Sequence, residues 1–200
     1  MKSAFQVFVE NTVLSLLSLL KIVLLSSFNI KLPIHLKKNE DCVILGNGPS
    51  LNNSLKEHDF SFKSKDLICV NYFAETAYYE KLKPAFYILN APEMWLEDVD
   101  DEYYSKGENF FSTLSKNTTW DLTFFIPAGA KKYDRWQKKI ATNKLIKVYY
   151  FNTTPIEGFS GFKFFCFNKN LGMPRPHNVL IPSIMLSINL LYKNIYLLGA

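Results

Sequence analysis

Cysteine is scarce in this sequence, and no two cysteines stand in a Cys-x-x-Cys spacing. Three cysteines in 200 residues exclude a disulfide scaffold and a zinc ribbon. Cys42 and Cys69 lie inside apolar runs and read as small core residues of a reducing compartment. Glycine and proline are sparse too, at 8 and 9, and the chain is only 20% charged. A collagen-like repeat, a disordered chain and a coiled coil are thereby excluded. Only His35, His58 and His177 are histidines, and no two have metal-ligand spacing. Lys and Arg exceed Asp and Glu by 5, yet no stretch concentrates them with interleaved aromatics. This excludes a nucleic-acid binder and fits weak attraction to an anionic membrane surface or an anionic ligand.

What is present is apolar and aromatic. Hydrophobic residues make up 48% of the chain, including 17 Phe and 11 Tyr, enough for one core domain with an appendage. The appendage is residues 1–39. Its run Val13–Phe28 is helix-prone and apolar, but is shorter than the roughly 20 residues of a membrane span and holds Lys21. Asn11, Ser15, Ser18, Lys21 and Ser26 recur at near-helical spacing, leaving a wide leucine face and a narrow polar stripe. That pattern predicts an interfacial helix within residues 4–34, followed by Lys31, Lys37 and Lys38 at the headgroup level. The competing reading is a helix packed on its own domain or on a partner chain.

From residue 40 to 200 the chain alternates. Short unalternating apolar runs at 42–45, 67–70, 85–89, 122–126, 145–151 and 194–198 predict strands covered on both faces. Helix-like stretches fall at 50–58, 73–81, 101–115, 131–142 and 179–191. Strand and helix in alternation predict a Rossmann-like α/β domain with a mostly parallel sheet and flanking helices.

The first strand runs into Gly46-Asn47-Gly48-Pro49-Ser50-Leu51. The glycines permit positive φ and close approach of a ligand to the backbone. Pro49 suits a first helical turn and Ser50 can cap it. Such a turn presents N–H groups at a helix N-terminus, an anion site suited to phosphate. It is neither a Walker A loop nor the full dinucleotide fingerprint, since no Gly-Lys follows and Leu51 replaces the third glycine. Asparagines end the next two strands, at Asn71 and Asn90. Each is either a ligand contact or an ordinary strand-end turn residue. In the acidic run from Glu93 to Glu102, Asp98 and Asp100 form an Asp-x-Asp. The preferred reading is the acidic first turn of a helix, so no metal ligand is assigned. Trp95 and Glu93 are placed to stack on or hydrogen-bond a sugar, or simply to pack a loop.

The turn, Asn71, Asn90 and the stretch 178–200 resemble the bacterial sialyltransferases of glycosyltransferase family 42. They also resemble the MptE-like 6-hydroxymethylpterin diphosphokinase group, which shares the Gly-Asn-Gly-Pro-Ser turn. The resemblance implies that Gly46, Asn47, Gly48, Pro49 and Ser50 hold the phosphate and ribose of a CMP-sugar, and that Asn71 and Asn90 bond its polar edge. Where those enzymes carry Ser/Thr-Gly, this chain has Pro174-Arg175-Pro176-His177-Asn178. There Asn178 would contact the donor, Arg175 would pair with phosphate or carboxylate, and His177 is the one acid/base group to nominate. The family's own catalytic histidine would lie past Ala200. The expected partners are a nucleotide sugar and a glycan acceptor, with no cofactor, in the cytoplasm at the inner face of the membrane. The alternatives are an ATP- and Mg²⁺-dependent pterin diphosphokinase, or a nucleotide-binding module without catalysis.

Overall fold

The computed structural model describes residues 2–51, 53, 55, 62 and 64–199. Six strands form one sheet: β1 Asp41–Leu45, β2 Lys65–Val70, β3 Phe86–Ile88, β4 Leu122–Pro127, β5 Ile146–Phe151 and β6 Asn194–Leu198. Every pairing is parallel, in the order β5-β4-β3-β2-β1-β6. The apolar runs of β1 to β4 are buried almost throughout because helices cover both faces, while the edge strands β5 and β6 are only partly covered. The protein is therefore an α/β domain with a Rossmann-like parallel sheet.

The helices whose bounds lie among the described residues are α1 Ala4–Leu25, α2 Tyr78–Leu82, α3 Asp101–Asn117, α4 Arg135–Ile140, α5 Ser160–Asn168 and α6 Leu180–Asn189. Three of the anticipated helices differ in detail. The stretch 73–81 divides into a 3-10 segment, Asn71–Glu75, and the short α2; the stretch 131–142 holds only α4, preceded by the 3-10 segment Ala128–Lys132. Of the helix anticipated over 50–58, residues 51, 53 and 55 are helical, and 52, 54 and 56–58, His58 among them, lie outside the described residues. Helix α5 was not anticipated.

Side chains alternate across the strands and divide the core in two. One face sends Val43, Leu45, Cys69, Tyr87 and Phe124 against Phe110, Phe111 and Leu114 of α3 and Trp136 of α4. The other sends Ile44, Ile68, Val70, Phe86 and Phe125 against Leu186 of α6 and Leu190 just past its end, with Leu32 and Leu36 of the N-terminal segment alongside. The carboxylate of Asp66, buried at the start of β2, ties that segment to the sheet. It accepts hydrogen bonds from the Lys38 and Asn39 amides, the Asn39 side chain and the Tyr192 hydroxyl, at 2.7–3.3 Å. Cys42 and Cys69 are buried free thiols, as their apolar runs in the sequence imply, and so is Cys166.

Helix α1 opens with a capping box. The Ser3 hydroxyl accepts from the Gln6 amide, and the Gln6 side chain accepts from the Ser3 amide. It packs on the domain, and it does so with its polar stripe. The Ser18 hydroxyl donates to the Glu157 carbonyl and accepts from the Glu157 amide, Ser15 accepts from the Phe159 amide, and Ser26 reaches Thr154 and the Leu171 carbonyl. Gly158, at φ +109°, lets the loop lie against the helix, since a Cβ there would stand 2.1 Å from the Ser15 hydroxyl. The leucine face points away from the domain: Leu16, Leu20 and Leu24 are 62, 56 and 70% exposed.

Candidate functional site

The chain adds strands outward from β1 to β5, then returns and places β6 on the other side of β1. The reversal falls between β1 and β6, and in open α/β sheets ligands bind beyond the carboxyl ends of the strands at such a point. The glycine turn leaves β1 there. Val70 ends the neighbouring β2 with Asn71 directly after it, and Leu89 and Asn90 follow β3. Helix α6 packs antiparallel to the strands as the crossover into β6, which brings its N-terminus, with His177 and Asn178, to the same edge. The sequence-selected residues thus gather along one edge of the sheet.

Within this edge the glycines have a role that strand order alone reveals. Neither Gly46 nor Gly48 is among the glycines with positive φ, contrary to the expectation for the turn; Gly158 and Gly199 are. Gly46 meets a close approach, but from the chain's own backbone. A Cβ at Gly46 would lie 2.4 Å from the Gly199 carbonyl oxygen. The amides of Gly46 and Gly48 donate to the carbonyls of Leu198 and Gly199, both at 2.8 Å, which extends the β1–β6 pairing past the strand ends. Those two N–H groups therefore hold the turn against β6. Among the described residues, the amides of Asn47 and Ser50 meet no acceptor, so the N–H groups of the turn's Gly46–Ser50 stretch open to a ligand narrow to these two. Asn47, Pro49 and Ser50 are exposed.

The asparagines link successive strand ends. The Asn47 side-chain amide donates to the Val70 carbonyl at 3.1 Å, and the Asn71 side-chain oxygen accepts from the Asn90 amide at 3.1 Å. Asn71 sits at φ +44°, a left-handed conformation that asparagine tolerates better than most residues. Beneath it the buried Tyr87 hydroxyl donates to the Asn71 carbonyl and accepts from the Ala74 amide. Burial holds that hydroxyl well above the ordinary tyrosine range, so it stays protonated and keeps both bonds. One end of each of the Asn47 and Asn71 side chains, and the whole side-chain amide of Asn90, are then left over. Among the described residues no partner meets the Asn47 side-chain oxygen, the Asn71 side-chain NH₂ or either end of Asn90.

Asn178 and His177 differ in kind. The Asn178 side-chain oxygen accepts from the amides of Leu180 and Ile181, at 3.0 and 3.3 Å, and so caps α6. His177 is exposed on the preceding loop. Arg175 lies 3.9 Å from the Glu157 carboxylate. Trp95 is buried in the aromatic core and offers no open face to stack on. Asp101 and Glu102 occupy the first turn of α3, and Glu102 pairs with Lys106 at 2.6 Å. A recess of about 550 Å³ lies elsewhere, lined by Glu97, Tyr104, Glu108, Asp134, Arg135 and Lys138, and none of the site residues reaches it.

Sequence reasoning missed Tyr87 and Gly199. A tyrosine in a strand otherwise covered on both faces signals a hydroxyl in need of a partner. A glycine closing the last strand, like the one closing the first, signals two backbones in contact once those strands are neighbours. No protein-family model and no curated protein matches the chain.

Proposed function

We propose that the carboxyl edge of β1, β2 and β3 binds the nucleotide end of an activated sugar, most simply a CMP-linked acidic sugar, and that the protein transfers that sugar to a glycan acceptor. One observation carries the reading. Three asparagines stand at the ends of three adjacent strands beside a Gly-x-Gly-Pro-Ser turn, the side chains of Asn47 and Asn71 each fixed by one bond, and all three have hydrogen-bonding capacity unfilled among the described residues. Asparagine presents donor and acceptor together, which suits the polar edge of a nucleotide. The amides of Asn47 and Ser50 would receive the phosphate, and positive potential there would stabilise the charge on the departing nucleotide. Deprotonating the acceptor hydroxyl needs a base, and His177, exposed at the same edge, is the group nominated for it. Asn178 supports the site by capping α6.

Thermal unfolding with added ligands tests the reading. CMP is expected to raise the melting temperature, and Asn47→Ala to abolish most of that rise while leaving the unliganded melting temperature close to wild type. Stabilisation by ATP with Mg²⁺ and none by CMP would overturn the sugar-transfer reading in favour of a diphosphokinase.

A further inference from the structure

The polarity of α1 is reversed relative to a helix covering a soluble core. Its hydroxyl stripe faces the domain, and of its residues only Ser18 and Ile22 are buried. An amphipathic helix ordinarily turns its apolar stripe to the core. The same surface continues onto α5. Phe8 of α1 packs against Phe159 with ring centroids 5.6 Å apart, and Phe164 and Phe165 of α5 are 64 and 58% exposed. Isolated exposed apolar side chains need no explanation, but a continuous field across two helices does.

Charge indicates what covers this field. Residues 1–39 and 142–200 carry eleven Lys and Arg against two acids, Glu10 and Glu157, a formal +9 where the whole chain has +5. The intervening residues 40–141, which include the acidic α3, are therefore at −4. Glu10 pairs with Lys2, and Glu157 faces Lys21 and Arg175. Among the described residues Lys31, Lys163 and Lys169 have no carboxylate partner. Helices α3 and α4 cover one face of the sheet and α6 the other; Asn189 of α6 donates to the Phe167 carbonyl of α5, which packs with Ile22 of α1, so the apolar field adjoins α6, on the face away from the acidic α3.

Geometry decides how the helix lies. Its contacts with the domain run from Phe8 to Ser26, roughly 27 Å of axis at about 1.5 Å per residue. A helix crossing the roughly 30 Å hydrocarbon layer in this arrangement would carry the loop 152–159 and α5 into lipid. Unpaired backbone cannot sit there. Lying flat, α1 puts its leucines in the acyl region and keeps the loop in water.

We propose that α1 and α5 together form a docking face for an anionic lipid surface, with α1 lying in the plane of one leaflet and Phe164 and Phe165 inserting beside it. The face goes beyond the sugar-nucleotide reading and does not depend on it. The full chain is mixed with vesicles of equal parts phosphatidylcholine and phosphatidylglycerol and sedimented. Substituting Phe164→Asp with Phe165→Asp, both exposed and outside the core, is expected to lower partitioning tenfold or more, and raising the salt concentration is expected to weaken binding of the wild type. Because the native thiols are buried, nitroxides at Leu16→Cys and Phe164→Cys report depth, and both are expected at the same shallow level. A nitroxide at residue 16 in the bilayer centre with residue 164 in water would mean a span and overturn the proposal. Failure of the wild type to bind vesicles, with concentration-dependent dimerisation instead, would assign the face to a second copy and overturn it equally.

Discussion

Two rows of short polar side chains run through this molecule, Ser15, Ser18 and Ser26 along α1 and Asn47, Asn71 and Asn90 along the carboxyl edge of the sheet. Both are regularly spaced in small polar residues flanked by apolar ones. They differ in what lies opposite. The serines meet backbone of the loop 154–159 and Leu171, and that docking turns the leucines outward. Asn47 and Asn71 each hold the neighbouring strand end, and all three asparagines keep polar atoms that no described residue meets. A polar row closed on its own chain is a fastening, and a polar row left partly open is a candidate for recognition. Helix α6 makes the same point from within the core. Its Ser183 and Ser187 hydroxyls turn back onto carbonyls of Val179 and Ser183, so its apolar face is free to cover the sheet.

The contrast can be broken most forcefully at Gly158. Alanine there combines a disfavoured positive φ with a Cβ 2.1 Å from Ser15. A loss of about 2–4 kcal/mol is expected in urea unfolding; wild-type stability would mean that α1 does not dock on this loop. Next comes Ser18→Ala, which leaves the Glu157 amide and carbonyl without their partner. It is expected to cost about 1–3 kcal/mol of stability and to leave CMP affinity as it was. Asn47→Ala sharpens the comparison from the other side. It removes one bond to the Val70 carbonyl, about 0.5–1.5 kcal/mol, while calorimetric affinity for CMP is expected to fall about tenfold, equivalent to about 1.4 kcal/mol. If Ser18→Ala and Asn47→Ala moved stability and affinity together, the distinction between the rows would be lost.

The smallest effect is expected at the sheet beneath the asparagines. Burial pushes the Cys42 thiol up to about 11 from an ordinary 9.0, so the folded chain keeps it neutral where an unfolded one ionises. Stability should accordingly decline as pH rises above about 9, since the unfolded state loses its proton first. At pH 8, iodoacetamide is expected to leave the three thiols unlabelled in the folded chain and to label them in urea. Rapid labelling without denaturant would show that the sheet opens.

All six strands were legible in the sequence, because a parallel sheet covered on both faces needs uninterrupted apolar runs. Edge strand β6 was legible from the same kind of apolar run, although none of its residues is fully buried. Helix α5 was not. Its Ser160-Gly161 start and four phenylalanines give little helical propensity, and it is held by packing on Ile22 and Ile156. The site residues could be picked out singly as strand-end asparagines and a glycine turn. Their gathering could not, because it depends on β6 lying beside β1, a neighbour relation that no local pattern encodes. That relation also reassigns Gly46 from ligand contact to backbone contact. On α1 the periodicity gave the stripe correctly, but periodicity has no sign. It separates two faces without saying which one meets protein.

The most direct measurement is hydrogen exchange of the full chain with and without CMP. Protection is expected at the amides of Asn47 and Ser50 and around Asn71 and Asn90, with α1 unchanged. Protection confined to other segments, or none at saturating CMP, would contradict the assignment of this edge to the nucleotide.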